Sequence, residues 1–200
     1  MKKISVDNPF FNWMGTIGDF ILLNIVFLFT CIPVVTIGVS LTSLYRVMIK
    51  RLRGESAYPV KEYFRTFRKE WKQSTVLWLI LLVSGGVLVF DIFFARNMPR
   101  VLNVCIGVLS LLWGFIYTYT FPLQGQYQNT VKNTLKNALL LSVANLHFTF
   151  PMLLVNAVPV ICVMFGDFVA AMIVPVYVVI GFSLTAWVNS CILLRIFQKI

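Results

Sequence analysis

Five apolar runs, each long enough or nearly long enough to cross a bilayer, leave this chain few ways to fold. They lie at about 20–37, 74–94, 101–121, 138–164 and 168–194, and a helix needs about 20 mostly apolar residues to span the hydrocarbon. The polar and charged residues fall in the gaps between them. Composition agrees: 59% of residues are hydrophobic, 12% are charged and mean hydropathy is +0.85, against about 25% charged residues in ordinary soluble domains. The expected fold is an all-α integral membrane protein. It is a single membrane domain, a five-helix transmembrane bundle with kinked first, fourth and fifth spans and short amphipathic cytoplasmic helices.

The charges give the expected bundle a direction. Of 17 Lys and Arg residues, nine lie between Arg46 and Lys72, Lys132 and Lys136 follow the third span, and Arg195 and Lys199 follow the fifth. In a five-span chain those regions share one side. The other side holds Lys2, Lys3, Arg96 and Arg100, with no cation around Gly166 and Asp167. The excess marks the cytoplasmic side, with the N-terminus outside and the C-terminus inside. A net charge of +10 and a pI near 9.7 would suggest nucleic acid in a soluble chain. Here the distribution accounts for the charge, and no reader motif is present.

The first span admits rivals. Asp19 to Met48 read as a two-span hairpin would give six helices and a cytoplasmic N-terminus. Ile37 to Met48 is about 12 residues, or about 18 Å of helix, too short for a ~30 Å core. The preferred reading is one span kinked at Pro33 and broken near Gly38, leading into an amphipathic helix that carries Leu44, Val47 and Met48 towards the cytoplasm. A re-entrant loop is the third alternative. The two N-terminal lysines do not make a secretory signal, because no A-x-A-like cleavage site follows. Asn8 to Met14 reads as an interfacial segment rich in Phe and Trp.

The segment YPVKEYFRTFRKEWKQSTVLW, Tyr58 to Trp78, interleaves cations and aromatics. Pro59 suits a first helical position, and Val60, Tyr63, Phe64, Phe67 and Trp71 recur at three- and four-residue intervals, sharing one face. Lys61, Arg65, Arg68, Lys69 and Lys72 occupy the rest. Two readings stand: a membrane-surface helix with cations at anionic lipid headgroups, or a docking site for a partner. Gln124 to Asn137 weakly repeats the pattern 69 residues on, within a second cytoplasmic segment at 122–137. The candidate contact residues are Tyr63, Arg65, Phe67, Arg68 and Trp71.

Polar groups in hydrocarbon are functional candidates by default. Asn24, Asn145, His147 and Asn156 qualify, either as a polar pathway or as interhelical hydrogen bonds. Asp91, about 26 Å along its helix from Ser74, sits near the outer surface. Pro151, Pro159 and Pro175 free carbonyls that can line a cavity. The cysteines Cys31, Cys105, Cys162 and Cys191 are scattered one to a span and read as free thiols. One histidine and no CxxC pair give no zinc cluster, and no nucleotide or nucleophile motif occurs. No cofactor, metal site or enzymatic activity is expected.

In combination, NPFF at Asn8 to Phe11, GDFILLN at Gly18 to Asn24, CIPVVTIGVS at Cys31 to Ser40 and SLY at Ser43 to Tyr45 make the chain resemble the YesL-like family of small bacterial membrane proteins. The resemblance continues through the basic segment and, in length and span arrangement, over the whole chain. Members of that family usually lie beside carbohydrate ABC importers and enzymes for plant polysaccharides such as rhamnogalacturonan. It therefore implies a non-catalytic accessory subunit partnered by ABC permease subunits. No E-A-A-x-x-x-G loop for ATPase docking is present, which favours lateral contact with a permease. The rival expectations are an independent small-solute transporter and a membrane-bound sensor or assembly factor for sugar utilisation. Gly85 and Gly86 would permit close helix approach in a homo-oligomer.

Overall fold

The structure is a computed structural model that describes residues 9–55, 58–94, 99–127, 129–164 and 167–197, with backbone alone for 9–13 and 162–170. Asn8, Arg96, Gly166 and Lys199, the Cys162 side chain and the aromatic side chains of the expected interfacial segment up to Trp13 lie outside that description. Every regular element among the described residues is helical. They are α1 (Pro9–Cys31), α2 (Ile37–Leu52), α3 (Pro59–Phe94), α4 (Arg100–Gln126), α5 (Val131–Ala144), α6 (Leu146–Met164), α7 (Asp167–Val176) and α8 (Phe182–Phe197). A 3₁₀ turn, Val34–Thr36, joins α1 to α2, and a π-helical turn, Tyr177–Gly181, joins α7 to α8. Four helical segments are long and apolar enough to cross a membrane: Met14–Cys31, α3, α4 and Ala171–Phe197. The bent pair α5 and α6 meets the same test only when taken together, as one broken span or a re-entrant loop.

The first span is not one kinked helix. Pro33 cannot continue α1, so the chain leaves the helix after Cys31, makes the 3₁₀ turn and returns as α2. Arg51 near the end of α2 bonds Asp19, midway along α1, at 2.8 Å, and its guanidinium lies over the Phe20 ring. α1 and α2 therefore form an antiparallel hairpin, and α2 is a core element rather than an interfacial one. Val39, Leu44, Val47, Met48 and Ile49 are all buried. α2 stops at Gly54, whose φ of 73° lets the chain reverse while the Glu55 N–H closes the helix end on the Lys50 carbonyl.

The hairpin tip does not reach the far end of the bundle. The Trp78 indole N–H donates to the Val34 carbonyl at 2.8 Å, and α3 runs 16 residues beyond Trp78, about 24 Å at 1.5 Å per residue. Over that stretch α3 runs beside α4, as the Trp113 indole bonding the Leu81 carbonyl and the Ser84 hydroxyl records.

At the hairpin's base, Arg53 faces Gln126, and the Tyr127 and Phe197 rings meet at 5.6 Å. The start of α1, the ends of α2 and α4, and the end of α8 thus share one end. Five simple spans would put the start of α1 and the end of α8 at opposite ends; in the described residues the α1–α2 reversal adds one change of direction.

The fourth span is corrected as well. The expected run 138–164 is broken at Asn145, where the chain bends by 109° from α5 into α6. Pro151 and Pro159 lie inside α6 and are not the main bend. The second cytoplasmic segment is shifted accordingly: 122–126 is the buried end of α4, and α5 is the amphipathic helix, with Thr134, Ala138 and Ser142 inward and Lys132, Lys136, Leu139 and Leu140 exposed.

Candidate functional site

Pro175 has no N–H to give the helix, and the backbone beyond it widens into the π turn. A π turn leaves carbonyls off the regular ladder. Asn24 of α1 takes them up: its Nδ2 donates to the Tyr177 and Val178 carbonyls at 3.0 and 2.7 Å, and its Oδ1 accepts the Ser183 N–H at 2.9 Å. All of its bonding capacity goes to one backbone irregularity. Asn24 is fully buried and stitches α1 to the π turn.

Beside that turn lies a cavity of about 240 Å³ enclosed by α1, α2, α4, α6 and α8. Phe27, Phe121, Phe182, Tyr117 and Tyr177 supply most of its wall. Its polar edge is a relay across four helices. Asn189 Nδ2 donates to the Tyr45 hydroxyl at 3.1 Å and to Asn156 Oδ1 at 2.8 Å, while Asn156 Nδ2 points to the Thr118 hydroxyl at 3.4 Å. Asn189 is fully buried and its Oδ1 has no hydrogen-bond partner. A second, more apolar cavity of about 530 Å³ opens sideways between α3, α4 and α6.

At the charged end, the first half of α3 has two faces. Its aromatic face turns inward: Tyr63 is fully buried, its hydroxyl 2.6 Å from that of Thr30, and the Phe67 ring stacks on it at 6.2 Å. Trp71 meets Phe67 edge-on at 5.3 Å and is 43% exposed. The outer face carries Lys61, Arg65, Arg68 and Lys69 around Phe64 in one exposed groove. Between the faces, Glu62 binds Lys50 at 2.7 Å and Arg46 at 3.4 Å. Burial pushes its carboxyl up, but the two cations outweigh that and hold it below the usual carboxylate value. Glu70, also buried, accepts from Gln124 Nε2 at 2.8 Å, and Gln124 Oε1 accepts from Thr134.

The expected contact residues are thus divided. Arg65 and Arg68 are surface cations, Trp71 is at the rim, and Tyr63 and Phe67 belong to the packing against the α1–α2 hairpin. The hairpin covers the very stripe that periodicity assigns to lipid or partner.

The expected intramembrane set does not assemble either. Asn145 caps α5, its Nδ2 on the Leu141 carbonyl and its own carbonyl accepting the Phe148 and Thr149 N–H groups. His147 is exposed beside the α5–α6 break with its ring against Phe148, so it is not a buried imidazole between helices. Only Asn156 reaches the cavity. Asn189, its partner, and Tyr45, which is bonded in turn to Asn189, escape a sequence reading. Asn189 stands as one amide in the apolar run TAWVNSCILL, and Tyr45 in an amphipathic pattern that assigns it to no site. The signal for Asn189 is its intramembrane amide, the same signal that singles out Asn156.

Comparison with known proteins matches part of the chain to a family. The family described as "Protein of unknown function, DUF624" matches residues 20–92, which contain the second half of α1, all of α2 and nearly all of α3. The chain is 26% identical over 158 residues to the uncharacterized protein YesL of Bacillus subtilis (strain 168), covering 78% of this chain and 75% of YesL. It is 27% identical over 148 residues to the uncharacterized protein YteU of the same organism, covering 72% of this chain and 67% of YteU. No solved structure matches. The chain is thus a multi-pass helical membrane protein that is similar to YesL and matches the DUF624 family over residues 20–92.

Proposed function

We propose that the protein is a non-catalytic accessory subunit in a bacterial cytoplasmic membrane, associating with the permease subunits of an ABC importer for plant-derived oligosaccharide. The observation that carries the reading is the outer face of α3, where Lys61, Arg65, Arg68 and Lys69 surround Phe64 at the end that also bears Lys132, Lys136 and Arg195. By the positive-inside rule that end is cytoplasmic, so the start of α1 and the end of α8 are both cytoplasmic in this reading. A cationic groove with one exposed aromatic suits an acidic cytoplasmic loop of a partner, with the ring as anchor and the charges setting orientation. Anionic headgroups compete for the same cations. The resemblance to proteins found beside carbohydrate importers names the class of partner.

The test is a mild-detergent pull-down of tagged protein from cells grown on a pectic polysaccharide. Permease subunits are expected in near-equal amounts, and the doubly charge-reversed variant R65E/R68E is expected to lose them while eluting and melting like the wild type. Recovery of the tagged protein without permease, or equal recovery with the variant, would overturn the proposal.

A further inference from the structure

The two cavities meet at a wall one side chain thick: Tyr117, Thr118, Asn156 and Val160 line both. Their chemistries differ. The lateral one runs along α3 from Trp78 to Ile92, about 21 Å at 1.5 Å per residue, and its lining is almost wholly apolar. The enclosed one offers the Tyr45 hydroxyl, the Asn156 amide and the Thr118 and Thr185 hydroxyls. Neither is lined by an Asp, Glu, Lys, Arg or His.

Dimensions select the occupant. A volume of about 530 Å³ drawn out along about 21 Å of α3 is a long groove open on one side. An extended hydrocarbon chain suits that shape, and the length suffices, since a tail crossing one leaflet covers half of a ~30 Å core, or about 15 Å. Charge selects the head. An ionised group beside Asn156 would meet no counter-ion in a low-dielectric site, whereas a neutral hydroxyl or ester would find donors and acceptors. Asn189, hydrogen-bonded behind Asn156 with an unused buried oxygen, adds polarity to that wall.

We propose that the paired cavities bind a neutral single-chain amphiphile taken from the bilayer, its chain in the α3–α4–α6 groove and its uncharged head against Asn156 and Tyr45. This site is independent of the basic groove on α3, so either assignment can fail without the other.

The experiment uses the full chain in lipid nanodiscs and a monoacylglycerol carrying a diazirine in its chain, with labelled residues mapped after illumination. Label is expected on Leu82, Ala157 and their groove neighbours. Unlabelled monoolein should displace it at least ten-fold better than oleate at pH 8. Ala157→Phe, with Leu82→Trp as a second groove-filling variant in case the first fails to fold, should cut labelling at least ten-fold. Asn156→Leu, or the milder Thr185→Val, should bring monoolein and oleate to parity. Four results would overturn the proposal: labelling spread equally over outward residues such as Leu154 and Val176, undiminished labelling in both filled variants, equal competition by oleate in the wild type, or crosslinking at Val160 to a copurifying protein instead of lipid.

Discussion

Tyr63 shows how one side chain can be read correctly as to helix and wrongly as to face. The three- and four-residue spacing of Tyr63, Phe67 and Trp71 does place them together, but the α1–α2 hairpin lies against that face, and a single helix's periodicity carries no sign of which neighbour will cover it. Tyr63→Phe keeps the packing and removes the hydroxyl shared with Thr30; a loss of about 1 kcal/mol in denaturation is expected. Arg68→Ala, on the exposed face, should leave the melting temperature unchanged while weakening partner recovery. Glu62 gives a prediction in pH. Its carboxyl is held below the ordinary value by Lys50 and Arg46, so its contribution to stability is complete above the unfolded-state value near 4.3 and is lost as pH falls through the lowered one. Thermal melts of the wild type and Glu62→Gln should differ at pH 6 and converge as the pH is taken down to about 3. A difference that persists or grows in acid would contradict the pairing. Asn189, by contrast, was legible in kind, as an amide within a span, but its partners on α2 and α6 are 144 and 33 residues away in the chain, a distance no local pattern encodes.

At the scale of elements, the hairpin is what the sequence offered only as an alternative to a kinked span. α2 reads as too polar and too short to enter a membrane, yet its hydroxyls are already satisfied along its own axis: Ser40 bonds the Thr36 carbonyl, Thr42 that of Gly38 and Ser43 that of Val39. Hydroxyls turned back on the helix backbone lower the cost of burial, and the helix packs against α3 through Gly38. A Cβ there would come within 2.4 Å of the Trp78 Cβ and 2.6 Å of the Ser74 carbonyl. Gly38→Ala should therefore force the two helices apart and cost about 1–3 kcal/mol, whereas Gly86→Ala, with nothing within 4 Å, should be neutral or slightly stabilising. Equal melting temperatures for the two variants would mean that α2 and α3 are not in this contact. The break at Asn145 was hidden for a related reason. α5 and α6 are apolar enough together to read as one span, and the two prolines inside α6 draw attention away from the asparagine that caps α5.

The whole molecule combines a full-length bundle with a hairpin that stops partway. α3 and α4 carry the long span, α6 and the α7–α8 pair complete it, and the α1–α2 tip is held at Trp78, about 24 Å short of the end of α3. The tip residues Ile32, Val34 and Val35 are apolar and exposed, which is costly in water and natural in hydrocarbon. This arrangement predicts a labelling pattern unlike that of five or six simple spans. In a variant with its native cysteines replaced, single cysteines at Met14 and Lys136 should react with a membrane-impermeant maleimide only from one side, and a cysteine at Arg100 only from the other. A cysteine at Val34 should resist the aqueous reagent from both sides and react with a lipid-soluble one. By the positive-inside rule the side shared by Met14 and Lys136 is the cytoplasm, so inverted vesicles should expose both and intact spheroplasts neither. Labelling of Met14 from outside would restore a single first span and an external start to α1. Aqueous labelling of Val34 together with Arg100 would instead make α1 and α2 two complete crossings. Resistance at Val34 with Met14 and Lys136 together is the outcome that only a hairpin turning back within the membrane produces.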